Sequence, residues 1–179
     1  HAVLPREPDC CRRSLRVLIS LIKIILARID DRLIHGQVAT VWSKATDCQR
    51  IIVCDDEVAK DKIRAVLLKQ LAPAGVKSHV VDLAKAVRIY RNPKYENDRC
   101  LLLFTNPTSV LYLVEHGVPI KSVNIGGMSF YEGKHQVTSA VSVDDKDVAA
   151  FKKLHELGIE LEIRKVDTDE KRDLMAVLK

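Results

Sequence analysis

A chain of 179 residues with 47% apolar and 30% charged residues can bury the core of one domain and is too mixed in composition for a disordered or fibrous protein. The net charge of +5 is modest, no long Lys/Arg block occurs and aromatic residues make up only 4%, which argues against a nucleic-acid-binding protein. No apolar run reaches the roughly 18 to 20 residues of a membrane-spanning helix, so a membrane component is expected to come from another chain.

The first 21 residues, HAVLPREPDCCRRSLRVLISL, have no initiator Met and no clear periodicity. Lys23 interrupts the apolar run and no small-residue cleavage site follows, so they do not fit a secretory signal. They are expected to be an extension, with the functional domain spanning residues 22–179. From Lys23 onward, short apolar runs alternate with longer amphipathic ones. KIILAR (23–28) is a buried strand and GQVATVWSKAT (36–46) a helix. RIIVCDD (50–56) is a second strand. The helix EVAKDKIRAVLLKQLAP (57–73) should follow it, with Val58, Ile63, Val66, Leu67 and Leu71 as its buried face.

GVKSHVVD (75–82) is a third strand, LAKAVRIYRN (83–92) a helix and CLLLFT (100–105) a fourth strand. PTSVLYLVEHG (107–117) is a helix with proline in its first turn and glycine at its stop. IKSVNIGG (120–127) is a fifth strand. The alternation in QVTSAVSV (136–143) predicts a strand or a strand pair. DDKDVAAFKKLHELG (144–158) is a helix with acidic residues in its first turn. IELEIRKV (159–166) is a strand and DEKRDLMAVLK (169–179) a last helix. This order predicts a single open α/β domain, with a mainly parallel sheet of about seven strands and helices on both faces. In such sheets the site lies at the carboxyl ends of the strands.

The first of those ends holds a dense polar cluster, Arg28, Asp30, Asp31, Arg32, His35 and Gln37, just before a helix begins at about Gly36. The unpaired amides of a helix's first turn attract an anion, and two arginines add multidentate phosphate contacts. Gly36 permits close backbone approach. One of Asp30 and Asp31 can accept from the imidazole and fix its tautomer, while the other pairs with an arginine. Histidine can both receive and release a phosphoryl group, and phosphoryl transfer needs mainly positioning and charge stabilisation. Taken singly, each of these residues is ordinary in a loop; their coincidence at one strand end points to an anion or phosphoryl site.

Other candidates compete. Asp55 and Asp56 end the second strand, where paired carboxylates could hold Mg²⁺ in a receiver-like phosphoacceptor, although helix capping explains them more simply. Thr105 and Asn106 could line the site or cap a helix, and Gly126-Gly127 could be a phosphate loop or a tight turn. The histidines lack metal-ligand spacing; His79, His116 and His155 read as structural, with His135 open. Cys10, Cys11, Cys48, Cys54 and Cys100 form no ligand motif, and Cys54 and Cys100 read as small core residues. No metal or other cofactor is expected. A small-anion binding module using only the helix start is a further alternative.

The stretch ARIDDRLIHGQV resembles the signature of the IIB component of the bacterial sugar phosphotransferase system (PTS), mannose/fructose/sorbose family. RIIVCDDEVAKD, LLLFTNPTSV, GVPIKSVNIGGMSF and the region around DDKDVAAFKKLHELGIELEIR resemble it in the same order, from about residue 22 to the C-terminus. The resemblance implies a cytoplasmic phosphocarrier of open α/β fold, peripherally associated with its permease. His35 would take the phosphoryl group from a phosphohistidine of IIA and pass it to a sugar held by the membrane components IIC and IID. It implies active-site roles for Arg28, Asp30, Asp31, Arg32 and Gln37, with the body nearest the sorbose or fructose branch. An exposed docking surface is expected near the histidine, with Leu33, Ile34, Met128 and Phe130 as candidates and core packing as the competing explanation.

Overall fold

The computed structural model of the protein describes residues 21–178; the reading of residues 1–20 as an extension, and with it Cys10 and Cys11, falls outside them. Strand β1 (Lys23–Asp30) is followed by a π-helical segment (Val38–Trp42) that runs into α1 (Ser43–Thr46). Then come β2 (Arg50–Cys54), α2 (Asp56–Lys60), α3 (Lys62–Gln70), β3 (Lys77–Val81), α4 (Leu83–Arg91), β4 (Arg99–Phe104) and α5 (Pro107–Glu115). The chain continues through β5 (Ser122–Gly127), β6 (His135–Thr138), β7 (Val141–Val143), α6 (Asp145–Glu156), β8 (Glu160–Ile163), β9 (Arg172–Asp173) and α7 (Leu174–Val177).

Seven strands form one sheet in the order β3-β2-β4-β1-β5-β8-β9, all parallel except β9. The expected architecture is therefore observed. β1 lies centrally between β4 and β5. After β1 the chain crosses over β4 to reach β2, and after β5 it moves the other way, to β8. Loops diverging in this manner leave a crevice at the carboxyl ends of β1 and β5, the place where open α/β sheets bind ligands. Alternation along the central strands divides the core. Cys100, Leu102 and Phe104 join Ala27, Ile29, Val123 and Ile125 in a cluster with Val87, Val110 and Phe151 from α4, α5 and α6. Leu101 and Leu103 join Ile51, Val53, Val38, Trp42 and Leu68 on the other face.

Three boundaries differ from expectation. β1 continues to Asp30, so Arg28 and Asp30 are strand residues two apart, on one face. The single helix expected over 57–73 is broken at Asp61, whose extended backbone lets its carboxylate cap Arg64 N–H at 3.0 Å. Of the face expected to be buried there, only Val58 is; Ile63 is 76% exposed and Val66, Leu67 and Leu71 exceed half. Periodicity defines an apolar stripe but not its partner. The tail expected as one helix is a two-residue strand followed by a turn of helix capped by Asp173. QVTSAVSV forms the antiparallel hairpin β6–β7, tied to the end of β5 by bonds between Met128 and the backbone of Ala140 and Ser142.

Candidate functional site

The site is built around one buried carboxylate. Asp30 is fully buried, and its Oδ2 lies 3.1 Å from Arg28 Nη2, 3.0 Å from Arg32 Nη2 and 3.0 Å from His35 Nε2. Its Oδ1 accepts from Arg32 Nε at 3.0 Å and from the Arg32 backbone N–H at 3.2 Å. Burial pushes the Asp30 carboxyl up, but the hydrogen bonds from Arg32 and His35 and the charge of Arg28 outweigh it, and the group sits below its ordinary value. The Asp30 bond raises Arg32 above its usual value. Burial lowers Arg28, against the pull of Asp30.

A tight turn delivers the histidine. Leu33 donates its N–H to the Asp30 carbonyl at 2.8 Å and adopts a left-handed backbone, φ 60°, while its side chain is fully buried. A non-glycine residue tolerates that conformation only where its surroundings impose it, and here burial of Leu33 and Ile34 does so. The turn lifts His35 to the surface, its side chain 19% exposed. With Nε2 donating to the Asp30 carboxylate, the lone pair of the neutral imidazole is left on Nδ1. The helical ladder begins with Ala39 N–H on the His35 carbonyl at 2.8 Å, so the amides of Gly36, Gln37 and Val38 precede it. Gly36 and Gln37 are exposed beside the imidazole, and nothing lies within 4 Å of where a Gly36 Cβ would stand. The helix then opens into the π-turn, a distortion common at functional sites.

Arg28 is the buried partner. Its guanidinium donates to the Asn124 side-chain oxygen, to the Arg164 carbonyl at 3.0 Å and to the Lys165 carbonyl at 3.2 Å. It lies 5.0 Å from the Trp42 ring centroid, and Arg164 lies 5.3 Å from the same ring. Trp42 Nε1 donates to the Lys165 carbonyl at 2.9 Å, joining the helix after His35 to the end of β8. Gly126 makes room for this packing, because a Cβ there would collide with the Arg28 guanidinium.

Of the expected site residues, Arg28, Asp30, Arg32, His35, Gly36, Gln37, Gly126 and Gly127 come together. Gly127 accepts from Asp31 N–H at 3.2 Å and lines a cleft with Asp31, Arg32, Ser129, Phe130 and Lys165. Three expectations are corrected. Asp30 alone binds the imidazole and both arginines, whereas Asp31 takes no arginine and instead accepts from the Ser129 backbone at 2.6 Å and hydroxyl at 3.1 Å. Thr105 and Asn106 bond elsewhere: Thr105 donates to Asp55 at 2.5 Å and Asn106 caps α5. Among the docking candidates Leu33, Ile34 and Met128 are core residues, and only Phe130 is exposed.

Asp55 and Asp56 serve backbone amides, Asp55 capping α2 through Val58 N–H at 2.9 Å and Asp56 accepting from Leu83 N–H at 2.9 Å. His79 bonds Arg50 at 3.0 Å and His116 bonds the Tyr112 carbonyl at 2.7 Å, structural roles as expected; His135 is exposed on the hairpin. Cys54 and Cys100 are buried and burial raises both thiols. Asn124, Glu162, Arg164 and Trp42 were not anticipated. A polar residue inside each of two apolar strands, Asn124 in SVNIGG and Glu162 in IELEI, is the signal that marks two of them.

Residues 24–179 match the family model described as PTS system sorbose subfamily IIB component. The chain is 63% identical over 153 residues to the PTS system mannose-specific EIIAB component of Escherichia coli K12, covering 86% of this chain and 47% of that protein. It is 55% identical over 153 residues to the PTS system sorbose-specific EIIB component of Lacticaseibacillus casei, covering 86% and 93%. The chain thus spans about half the length of the mannose-specific relatives and nearly all of the sorbose-specific one. Identity to a fructose-specific EIIB component of Bacillus subtilis is lower, at 42%. The crystal structure of the IIBSor domain of the Klebsiella pneumoniae sorbose permease superposes with a TM-score of 0.84 at 51% identity, over 87% of this chain and 95% of that one.

Proposed function

The chain belongs to the sorbose-subfamily IIB family of the phosphotransferase system, and on that premise we propose that it is a phosphotransferase whose carrier is His35. The functional unit is residues 22–179. The donor is a phosphohistidine of a IIA component, and the acceptor is a sugar held by membrane components IIC and IID. No helix among the described residues is long and apolar enough to cross a membrane. On the family reading, the chain works in the cytoplasm and meets its permease peripherally.

The observation that carries this reading is the bond from His35 Nε2 to buried Asp30, which leaves Nδ1 as the nucleophile. Attack of Nδ1 on phosphorus forms a new P–N bond as the donor's P–N bond breaks, and the donor imidazole leaves with the electron pair. Asp30 stabilises the proton on Nε2 throughout. Arg32, 53% exposed, faces the transferred oxygens together with the amides of Gly36 and Gln37. Arg28, sealed in the core, acts by holding Asp30. In the second step a sugar hydroxyl oxygen attacks phosphorus, its proton passes to a base outside this chain, and Nδ1 recovers its lone pair. Asp31 secures the Ser129 loop that forms one wall of the mouth.

The test is transfer from phosphoenolpyruvate through the general system proteins and IIA, followed by peptide mapping. An alkali-stable label on His35 is expected. An alkali-labile label, or none with a competent IIA, would overturn the assignment in favour of the acidic pair or of reversible anion binding.

A further inference from the structure

The register of the sheet sets three polar residues side by side: Arg28 of β1 pairs with Asn124 of β5, and Asn124 pairs with Glu162 of β8. All three are almost completely buried. A polar row inside a sheet must satisfy its own hydrogen bonds, and this one does so in a fixed direction. Asn124 Nδ2 donates to both carboxylate oxygens of Glu162, at 3.1 and 3.2 Å. An amide that turns its NH₂ to a carboxylate presents its oxygen to the opposite side, and that oxygen accepts from Arg28 Nη1. Arg28 Nη2 reaches Asp30 Oδ2, and the same oxygen holds His35 Nε2. Arg164 closes the far end, bonding Glu162 through two nitrogens at 2.8 and 2.9 Å.

We propose that Glu162 is a positioning residue for His35: it fixes the orientation of the Asn124 amide, which fixes Arg28, which holds Asp30 and so the tautomer and aim of the imidazole. Buried ionic groups are poor sources of stability compared with apolar residues of the same size, and Arg28 Nε has no hydrogen-bond partner among the described residues. A row needed only to fill the core would be better built from leucine. What this row supplies is direction, from a carboxylate four hydrogen bonds away to an imidazole at the surface. The activity part of the proposal rests on His35 being the carrier; the tautomer part does not.

The experiment compares the full chain with Glu162→Ala and Glu162→Gln. It measures the phosphoryl transfer rate from phospho-IIA, the ¹⁵N shifts of the His35 ring and the thermal midpoint. Glu162→Ala should slow transfer about tenfold or more, in the range seen when groups that orient a reactive ligand are removed, and should move the ring shifts toward mixed tautomers. Glu162→Gln still offers Asn124 an oxygen and should restore both readouts. Should Glu162→Ala fail to fold, Glu162→Asp replaces it, because its carboxylate is withdrawn by one carbon. A lower midpoint with unchanged ring shifts and an unchanged rate would make Glu162 merely structural and overturn the proposal. If the native chain takes no label on His35, the carrier reading fails, while native ring shifts in the variant would separately defeat the role of Glu162.

Discussion

Two strands of the sheet run into an Asp-Asp pair: β1 into Asp30 and Asp31, and β2 into Asp55 and Asp56. At the end of β2 the carboxylates are spent on backbone amides and one hydroxyl, which anchors α2, α4 and Thr105. At the end of β1 the first carboxylate caps no helix of its own; it gathers two guanidiniums and an imidazole. The difference lies in the partners. No arginine or histidine pairs with Asp55 or Asp56 among the described residues, whereas Arg28 lies two residues before Asp30 on the same strand face and Arg32 follows in the turn. A paired aspartate at a strand end is therefore a helix cap unless cations arrive with it, and the cations convert it into an anchor for an imidazole.

The contrast can be broken most forcefully at His35. His35→Ala should abolish covalent labelling while leaving the chain folded, at a cost of about 1–3 kcal/mol because buried Asp30 loses one hydrogen-bond donor; labelling of the variant and its urea unfolding check both halves. Gly126→Ala should act next most strongly. Its Cβ would displace the Arg28 guanidinium, which should cost about 1–3 kcal/mol and reduce transfer even in the folded fraction. The same assays decide it, and full activity would mean that Arg28 need not lie where it does. Asp55→Ala should cost about 1 kcal/mol through the lost cap and leave the transfer rate unchanged. A fall in rate would erase the distinction between the two ends.

The smallest effect is one of pH. Asp30 sits below its ordinary value, so its contribution to stability is fully present above about pH 4 and is lost only as the pH falls through its lower folded value. Asp147, beside the β2 end in the cleft that Asp55 and Asp144 line, is pushed up by burial. Its ionisation opposes folding, so its relative contribution improves as the pH falls through its raised folded value. Urea unfolding of Asp30→Asn and Asp147→Asn between pH 3 and 7 should show differences from the native chain that trend in opposite directions. Parallel trends would contradict the assigned shifts.

Much of this was legible in the sequence because the signals are local. Short apolar runs such as RIIVC and CLLLF are too short for helices and read as strands buried on both faces, and their alternation with helices points to a parallel sheet. The cluster from Arg28 to Gln37 is contiguous, so it could be read as a unit. Asn124 and Glu162 could not, because they lie 96 and 134 positions beyond Arg28 and are joined to it by strand register. The exposed face of α3 departs from expectation for a related reason: Ile63, Val66 and Leu67 have helical spacing, but no sequence pattern states which side the sheet occupies. The division of labour between Asp30 and Asp31 likewise depended on Ser129, a residue 98 positions away.

The most direct test of the account sets Asp30→Asn beside Asp55→Asn in one phosphoryl-transfer assay with the same phospho-IIA. Asp30→Asn should lower the rate by about tenfold to a hundredfold, since an amide cannot hold the imidazole and both arginines as a carboxylate does, while Asp55→Asn should transfer at the native rate. A native rate in Asp30→Asn, or a comparable loss in Asp55→Asn, would contradict the claim that the β1 end alone carries the chemistry.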